Sequence, residues 1–205
     1  MYFSFSFLFA IIQSPMDYNI IFIAGPQGSG KGTQGKKLAE KLGFLFWEMG
    51  GTLRAILAKG GPLAEKIKAI DHGTLLSDEL IIEVLKDQLS LIPHEQGIIF
   101  DGVPRRLGQG QFLVEYLKEH GMDKMATVFI DVPREECVRR LLLRAEHESR
   151  VDDTPDAIAR RFRDYDDAIK PAMDYLKDHT TFITIDGTPT PEVIAESIMM
   201  AISMA

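Results

Sequence analysis

A glycine-rich run, Gly25-Pro26-Gln27-Gly28-Ser29-Gly30-Lys31-Gly32-Thr33, stands between an apolar pentapeptide at 20–24 and an amphipathic stretch at 31–42. That order of strand, tight loop and helix constrains the fold more than any other feature of the chain. Glycines let the backbone wrap an anion with its N–H groups turned inward, and a helix starting there adds positive potential. Lys31 places a full charge beside the terminal phosphates of a bound polyphosphate. The common form of such a loop has Ser or Thr directly after the lysine. Here Gly32 takes that position and Thr33 follows it, which argues against direct hydroxyl ligation of Mg²⁺.

The rest of the chain alternates in the same way. Apolar runs at 20–24, 44–47, 98–101, 127–131 and 182–186 read as strands covered on both faces. Helical segments lie between them. The segment 31–42 is predicted to stop at Gly43, and the segment 109–120 at Gly121, each glycine being a left-handed cap. Ser77 before Asp78 and Glu79, and Thr190 before Pro191 and Glu192, carry N-cap chemistry. Alternating β and α elements imply an α/β fold with a parallel sheet and right-handed crossovers. Between the second and third strands lie about fifty residues, room for three helices where one crossover suffices. The excess predicts an inserted subdomain over about 48–77.

Composition narrows the class. Of 205 residues, 45% are apolar and 26% charged, values of a soluble globular domain. With 23 basic against 30 acidic groups the net charge is -7, which opposes a general nucleic-acid coat. One cysteine, Cys137, excludes an intrachain disulfide and a cysteine-rich zinc site, and points to a reducing, cytoplasmic setting. Residues 1–15 differ from the remainder. Phe3, Phe5, Phe7 and Phe9 alternate with other residues, and no Lys or Arg precedes Lys31. A secretory signal needs a positive start and a small-residue cleavage site, and the apolar stretch is shorter than the ~20 residues of a membrane span. The reading is a hydrophobic extension that is not native, with Met16 as the functional start of a domain over 16–205. A hydrophobic anchor or docking tail is the alternative.

Two further groups fall where ligands bind in open parallel sheets, at the carboxyl edge. Asp101 ends the third strand and suits a hydrated Mg²⁺, which keeps several waters and takes one or two carboxylates besides phosphate oxygens. Arg105 follows in Asp101-Gly102-Val103-Pro104-Arg105. Arginines then crowd the segment 139–163: Arg139, Arg140, Arg144, Arg150, Arg160, Arg161 and Arg163. Arg140 and Arg144, four apart, share a helix face. A nucleoside triphosphate and monophosphate together bring on the order of six negative charges, and guanidinium groups meet phosphate oxygens in bidentate fashion.

With these motifs in hand the chain resembles the adenylate kinase family of nucleoside monophosphate kinases, from Asp17 onward. The landmarks are GPQGSGKGTQ at 25–34, LR at 53–54, GTLLSDEL at 73–80, DGVPR at 101–105 with Gln109, and RVDD at 150–153. The Lys-Gly-Thr order is the family's own form of the loop. The resemblance implies a P-loop three-layer fold with a five-stranded parallel sheet, a helical flap for the monophosphate at about 48–77, and a lid at about 143–153. The short segment between Arg144 and Arg150 implies the short-lid type, without zinc.

Carried over by position, Gly28, Ser29, Gly30, Lys31, Gly32 and Thr33 hold the ATP phosphates. Arg140 and Arg144 flank ATP, and its adenine meets the loop near Pro189. Arg54 and Arg105 grip the AMP phosphate within a wall that includes Gly102, Val103 and Pro104. Thr74, Leu75 and Leu76 wall the acceptor base, and Gln109 reads its edge. Arg150 and Arg161 bridge donor and acceptor, so Lys31, Arg105, Arg144, Arg150 and Arg161 form the catalytic set. Asp101 reaches Mg²⁺ through water. Two departures lie in the flap. Met49 stands where relatives carry a base-facing threonine, losing a hydrogen bond, and Gly51 replaces an aspartate, freeing the backbone.

The implied reaction is ATP + AMP ⇌ 2 ADP with Mg²⁺, in a monomer of nucleotide biosynthesis. An acceptor phosphate ionised at neutral pH needs no general base, so alignment and electrostatic stabilisation carry the rate. Met49 favours a pyrimidine or broad-range kinase as the alternative, and Gln109 favours AMP. A nucleotide-binding module without transferase activity is the rival of another class. A GTPase switch ranks below both, because Asn19 is the only asparagine and the guanine signature Asn-Lys-x-Asp cannot be formed.

Overall fold

The computed structural model describes residues 18–68, 76–93, 95–148, 158–159, 162–163 and 168–205, with backbone alone for 145–148. Five strands form one parallel sheet in the order β2-β3-β1-β4-β5. They are β1 (Ile20–Ala24), β2 (Leu45–Glu48), β3 (Ile98–Asp101), β4 (Met125–Asp131) and β5 (Thr181–Asp186). Eight helices are seen among the described residues: α1 (Lys31–Leu42), α2 (Met49–Lys59), α3 (Pro62–Lys68), α4 (Asp78–Leu89), α5 (Leu107–Glu119), α6 (Arg134–Glu148), α7 (Lys170–His179) and α8 (Pro191–Met204). The five-stranded α/β architecture expected from the alternation is therefore present.

β1 is the central strand, registered on β3 through Phe22↔Phe100 and on β4 through Phe22↔Thr127. Its alternate side chains enter separate cores. Ile20 and Phe22 join β3, α4, α5 and α7, while Ile21 and Ile23 join α1, α6 and α8. Phe22 stacks on Phe100 with ring centroids 5.4 Å apart, and Trp47 meets Phe100 edge-on at 5.6 Å. This double burial explains why β1 reads as an unbroken apolar run.

The flanking strands depart from that expectation. β2 and β5 are edges, and Leu45, Thr181, Thr184 and Asp186 are exposed. An edge strand has a neighbour on one side alone, so part of its apolar run remains open to solvent. Boundaries also shift by one or two residues: β2 runs one residue later, β4 begins at Met125 and β5 at Thr181.

The helix ends follow their local chemistry. Gly43 is left-handed at φ 67°, and the Phe44 N–H donates to the Ala39 carbonyl at 3.0 Å. At the end of α5 the helix stops at Glu119, one residue earlier than expected, and Gly121 turns the chain at φ 74°. The Met122 N–H closes this end on Leu117 O at 2.8 Å, a Schellman pattern. The Ser77 hydroxyl accepts from Leu80 N–H at 3.3 Å, and Thr190 caps α8, with Pro191 in its first turn.

Among the described residues three helices, α2, α3 and α4, lie between β2 and β3, for which the spacing leaves room. Gly50 and Gly51 are helical residues of α2. A Cβ at Gly50 would stand 3.2 Å from Glu48 Oε1 and 3.3 Å from Arg54 Nη1, and one at Gly51 3.3 Å from Glu48 Oε2. The pair leaves room for an ion contact between Arg54 and Glu48 at 3.6 Å. The helix α6 continues to Glu148, so residues 143–148 of the expected lid are the end of a helix. The remainder of that segment lies outside the described residues.

Candidate functional site

The loop after β1 turns on three left-handed glycines, Gly25 (φ 137°), Gly28 (φ 84°) and Gly30 (φ 96°). Two of them also lack space for a side chain. A Cβ on Gly28 would lie 2.5 Å from the Cys137 carbonyl oxygen, and one on Gly25 2.5 Å from that of Ile130. The loop is thus pressed between β4 and α6, with Ser29 fully buried beneath it. The Ser29 hydroxyl has no hydrogen-bond partner among the described residues.

Lys31 curls back across the loop and donates to the carbonyls of Gly25 and Pro26, 2.8 Å each. Burial pulls its ammonium down from 10.5 to about 8, the nearby Asp101 carboxylate opposes this, and Arg105 and Arg144 add to it. Lys31 and Arg105 line one cavity, and the charge of Arg144 is also felt at Lys31, a concentration of positive potential that suits a polyanion.

Asp101 closes β3 with 8% exposure. Desolvation raises its carboxyl above the usual range; Lys31 counters that shift and Glu48 reinforces it. Gly32 faces this carboxylate: a Cβ there would stand 3.3 Å from Asp101 Oδ2. Any residue larger than glycine would crowd the acid, a local reason for the Lys-Gly-Thr order. A single buried carboxylate beside a phosphate-binding loop fits a hydrated Mg²⁺.

Two cavities meet beside these groups. One of about 40 Å³ runs along the loop and is walled by Gly25, Gln27, Lys31, Val103 and Pro104, with Ile169 and Met173 behind. The other, about 150 Å³, lies under α2 and is walled by Met49, Leu53, Leu76, Ile81, Arg106 and Gln109. Gly102 and Arg105 line both. The turn that bears them has Gly102 at φ 81° and a cis Val103–Pro104 peptide. Gln109 is 4% exposed. Its Oε1 accepts from the Arg105 N–H and its Nε2 donates to Asp78 Oδ1, both at 2.9 Å.

On the far side of the loop, Arg140 donates to Glu136 at 2.7 Å and to the Thr188 carbonyl at 3.4 Å. This carries α6 onto the turn 187–190, which includes Pro189. Asp186 shapes that turn by accepting from the Thr188 N–H at 2.9 Å and its hydroxyl at 2.7 Å. Those two bonds hold the Asp186 carboxyl below its usual range. Arg139 is a surface partner of Glu136 instead, through two bonds of 2.7 Å.

Of the residues singled out from sequence, Lys31, Asp101, Gly102, Val103, Pro104 and Arg105 come together at the loop, Met49, Leu76 and Gln109 wall the second cavity, and Arg144 lines neither, acting on Lys31 through its charge. Arg54 is not in either wall; its side chain is 69% exposed and turned to Glu48. Thr74, Leu75, Arg150 and Arg161 lie outside the described residues. Sequence reasoning did not find Gln27, Leu53, Ile81, Arg106, Ile169 or the α7 residues Met173 and Leu176 as wall residues. The apolar members carried no signal, being indistinguishable from core positions by periodicity. The sequence places Asp78 in the first turn of α4, and its second role depends on α5 lying alongside.

Comparison with known proteins agrees with this geometry. The family model described as Adenylate kinase matches residues 23–181. An adenylate kinase of Thermus thermophilus is 38% identical over 186 residues, covering 90% of this chain and 97% of the relative. One from Phocaeicola vulgatus is 37% identical over 183 residues, with 89% and 97% covered. One from Stenotrophomonas maltophilia is 36% identical over 183 residues, with 89% and 98% covered. A match of this length, spanning both the phosphate loop and the turn that carries Arg105, shows that the chain belongs to the adenylate kinase family.

Proposed function

We propose that the protein transfers the terminal phosphoryl group of Mg·ATP to AMP, reversibly, giving two ADP. One observation carries the reading: Arg105 and Gly102 form a common wall between a cavity on the phosphate loop and a second cavity lined by Gln109. The phosphate ends of two nucleotides, one laid along the loop and one entering the second cavity, would meet at the guanidinium. The names of the relatives, adenylate kinases over nearly their whole length, support the same reaction.

In this reading Gly28–Thr33 supply backbone N–H groups to the donor phosphates, and Lys31 moves from the loop carbonyls to the β and γ oxygens. Arg140 and the turn at Pro189 border the donor base. Arg54 and Arg105 hold the acceptor phosphate, with Thr74, Leu75, Leu76, Met49 and Gln109 around its base. Arg144, Arg150 and Arg161 balance charge on the group in transit. Asp101 would hold Mg²⁺ through water, and the ion would neutralise charge on the donor phosphates. No side chain needs to remove a proton, because the acceptor is already an anion; in-line alignment and electrostatic stabilisation suffice. The segments 48–77 and 143–153 serve as flap and lid that exclude water. The protein works as a monomer in the cytoplasm, in nucleotide biosynthesis; the lone thiol of Cys137 suits that reducing setting.

The test is direct. Purified protein with Mg·ATP and AMP, CMP, UMP or GMP in turn is expected to form ADP from AMP fastest. Preference for CMP or UMP would move the assignment to a pyrimidine kinase, the reading that Met49 in the acceptor wall favours. No diphosphate from any acceptor would reject phosphoryl transfer.

A further inference from the structure

The amide of Gln109 is held from both sides by groups that leave it no choice of orientation. The Arg105 N–H can only donate, and it meets Oε1 at 2.9 Å. The Asp78 carboxylate can only accept, and it meets Nε2 at 2.9 Å. Rotating the amide by half a turn would set N–H against N–H and carbonyl oxygen against carboxylate. Arg106 approaches the same carboxylate oxygen, with Nε 4.0 Å from Oδ1. Gly108 is packed on it: a Cβ there would stand 3.0 Å from Asp78 Oδ2. The two bonds leave Gln109 one acceptor lone pair and one Nε2 hydrogen, in a fixed order, at the wall of the 150 Å³ cavity.

We propose that Asp78 is a positioning residue for base selection: by locking the Gln109 amide in one orientation, it makes the cavity accept a 6-aminopurine and reject a 6-oxopurine. Adenine offers a donor at N6 and an acceptor at N1, the complement of a carbonyl oxygen beside an N–H. Hypoxanthine and guanine offer an acceptor at O6 and a donor at N1, the reverse order. A free amide would rotate to suit either. A pinned one cannot, so the wrong base leaves buried groups unpaired, the strong form of discrimination. This inference rests on the proposed binding of a monophosphate base at Gln109.

The experiment compares AMP with IMP, which reverses the edge and adds no bulk at position 2. Unsubstituted protein is expected to prefer AMP. Asp78→Asn gives Gln109 a neighbour that can donate or accept, and Asp78→Ala removes the acceptor altogether. Both are expected to lower the AMP:IMP ratio of kcat/KM about tenfold or more, the scale of one lost discriminating hydrogen bond. The KM for AMP should rise, and the KM for ATP should stay. Should Asp78→Asn fail to fold, Asp78→Ala carries the test alone. An unchanged ratio in folded variants, or an equal loss with both acceptors, overturns the proposal, as does unsubstituted protein that uses AMP and IMP alike. Unsubstituted protein that phosphorylates no monophosphate overturns the functional reading itself, and that result is recorded before any variant is made.

Discussion

Replacing Lys31 by methionine should make the protein inactive and, at neutral pH, more stable. The ammonium sits under the loop with burial as the main influence on it, and its affinity for a proton falls from 10.5 to about 8. At 1.36 kcal/mol per pH unit, the charged lysine opposes folding by about 3 kcal/mol at pH 7. Methionine removes that charge and keeps the length of the chain. It also removes two hydrogen bonds, to Gly25 O and Pro26 O, at about 1 kcal/mol each. The net gain is about 1 kcal/mol, or roughly 2–4 °C in Tm for a chain of this size.

The sign should reverse with pH. Between about 8 and 10.5 the folded protein binds fewer protons at Lys31 than the unfolded one, so wild-type stability rises across that window. Above it the lysine is neutral in both states, and the variant retains only its missing hydrogen bonds. Lys31→Met is therefore expected to melt higher than wild type at pH 7 and lower at pH 10.5. Turnover should fall by about 10²–10³ or more, as for a lost transition-state donor. Paired thermal melts at the two pH values and an ADP-formation assay give the answer. A variant destabilised equally at both pH values would refute the reasoning that lysine is held there against its hydration.

Gly28→Ala places a side chain at φ 84° and 2.5 Å from the Cys137 carbonyl; a loss of about 2 kcal/mol or more and failure to bind ATP are expected by melting and nucleotide titration. Leu85→Ala, at a fully buried position of α4, should cost about 2–5 kcal/mol in chemical denaturation while turnover per folded molecule is kept. Glu136→Gln frees Arg140 from its carboxylate partner and should raise the KM for ATP severalfold without changing that for AMP. The Glu136 carboxyl is lowered from 4.5 to about 2 by hydrogen bonds from Arg139 and Arg140. Its contribution is present above pH 4.5 and lost as pH falls toward 2, so acid melts of variant and wild type should converge over that range.

The amino-acid sequence by itself determined what is local. A positive-φ glycine, an N-cap hydroxyl or an apolar run states its conformation within a few residues, so the phosphate loop, the caps at Gly43, Ser77 and Thr190, and the five strands were all legible. The resemblance to adenylate kinases rested on motifs of the same short range. Contacts between distant elements were decided by the tertiary structure. Arg105 becomes the shared wall of two cavities because β3 lies beside β1, and Arg140 reaches Thr188, 48 residues on, because α6 ends its first turns against the loop after β5. Gln109 meets Asp78 across 31 residues because α4 and α5 pack together. Gly50 and Gly51 leave space for the Glu48–Arg54 pair, which only the packing of α2 against the end of β2 reveals. Propensity acts through a residue's own dihedral angles and near neighbours, whereas distance between side chains is set by the order in which strands enter the sheet.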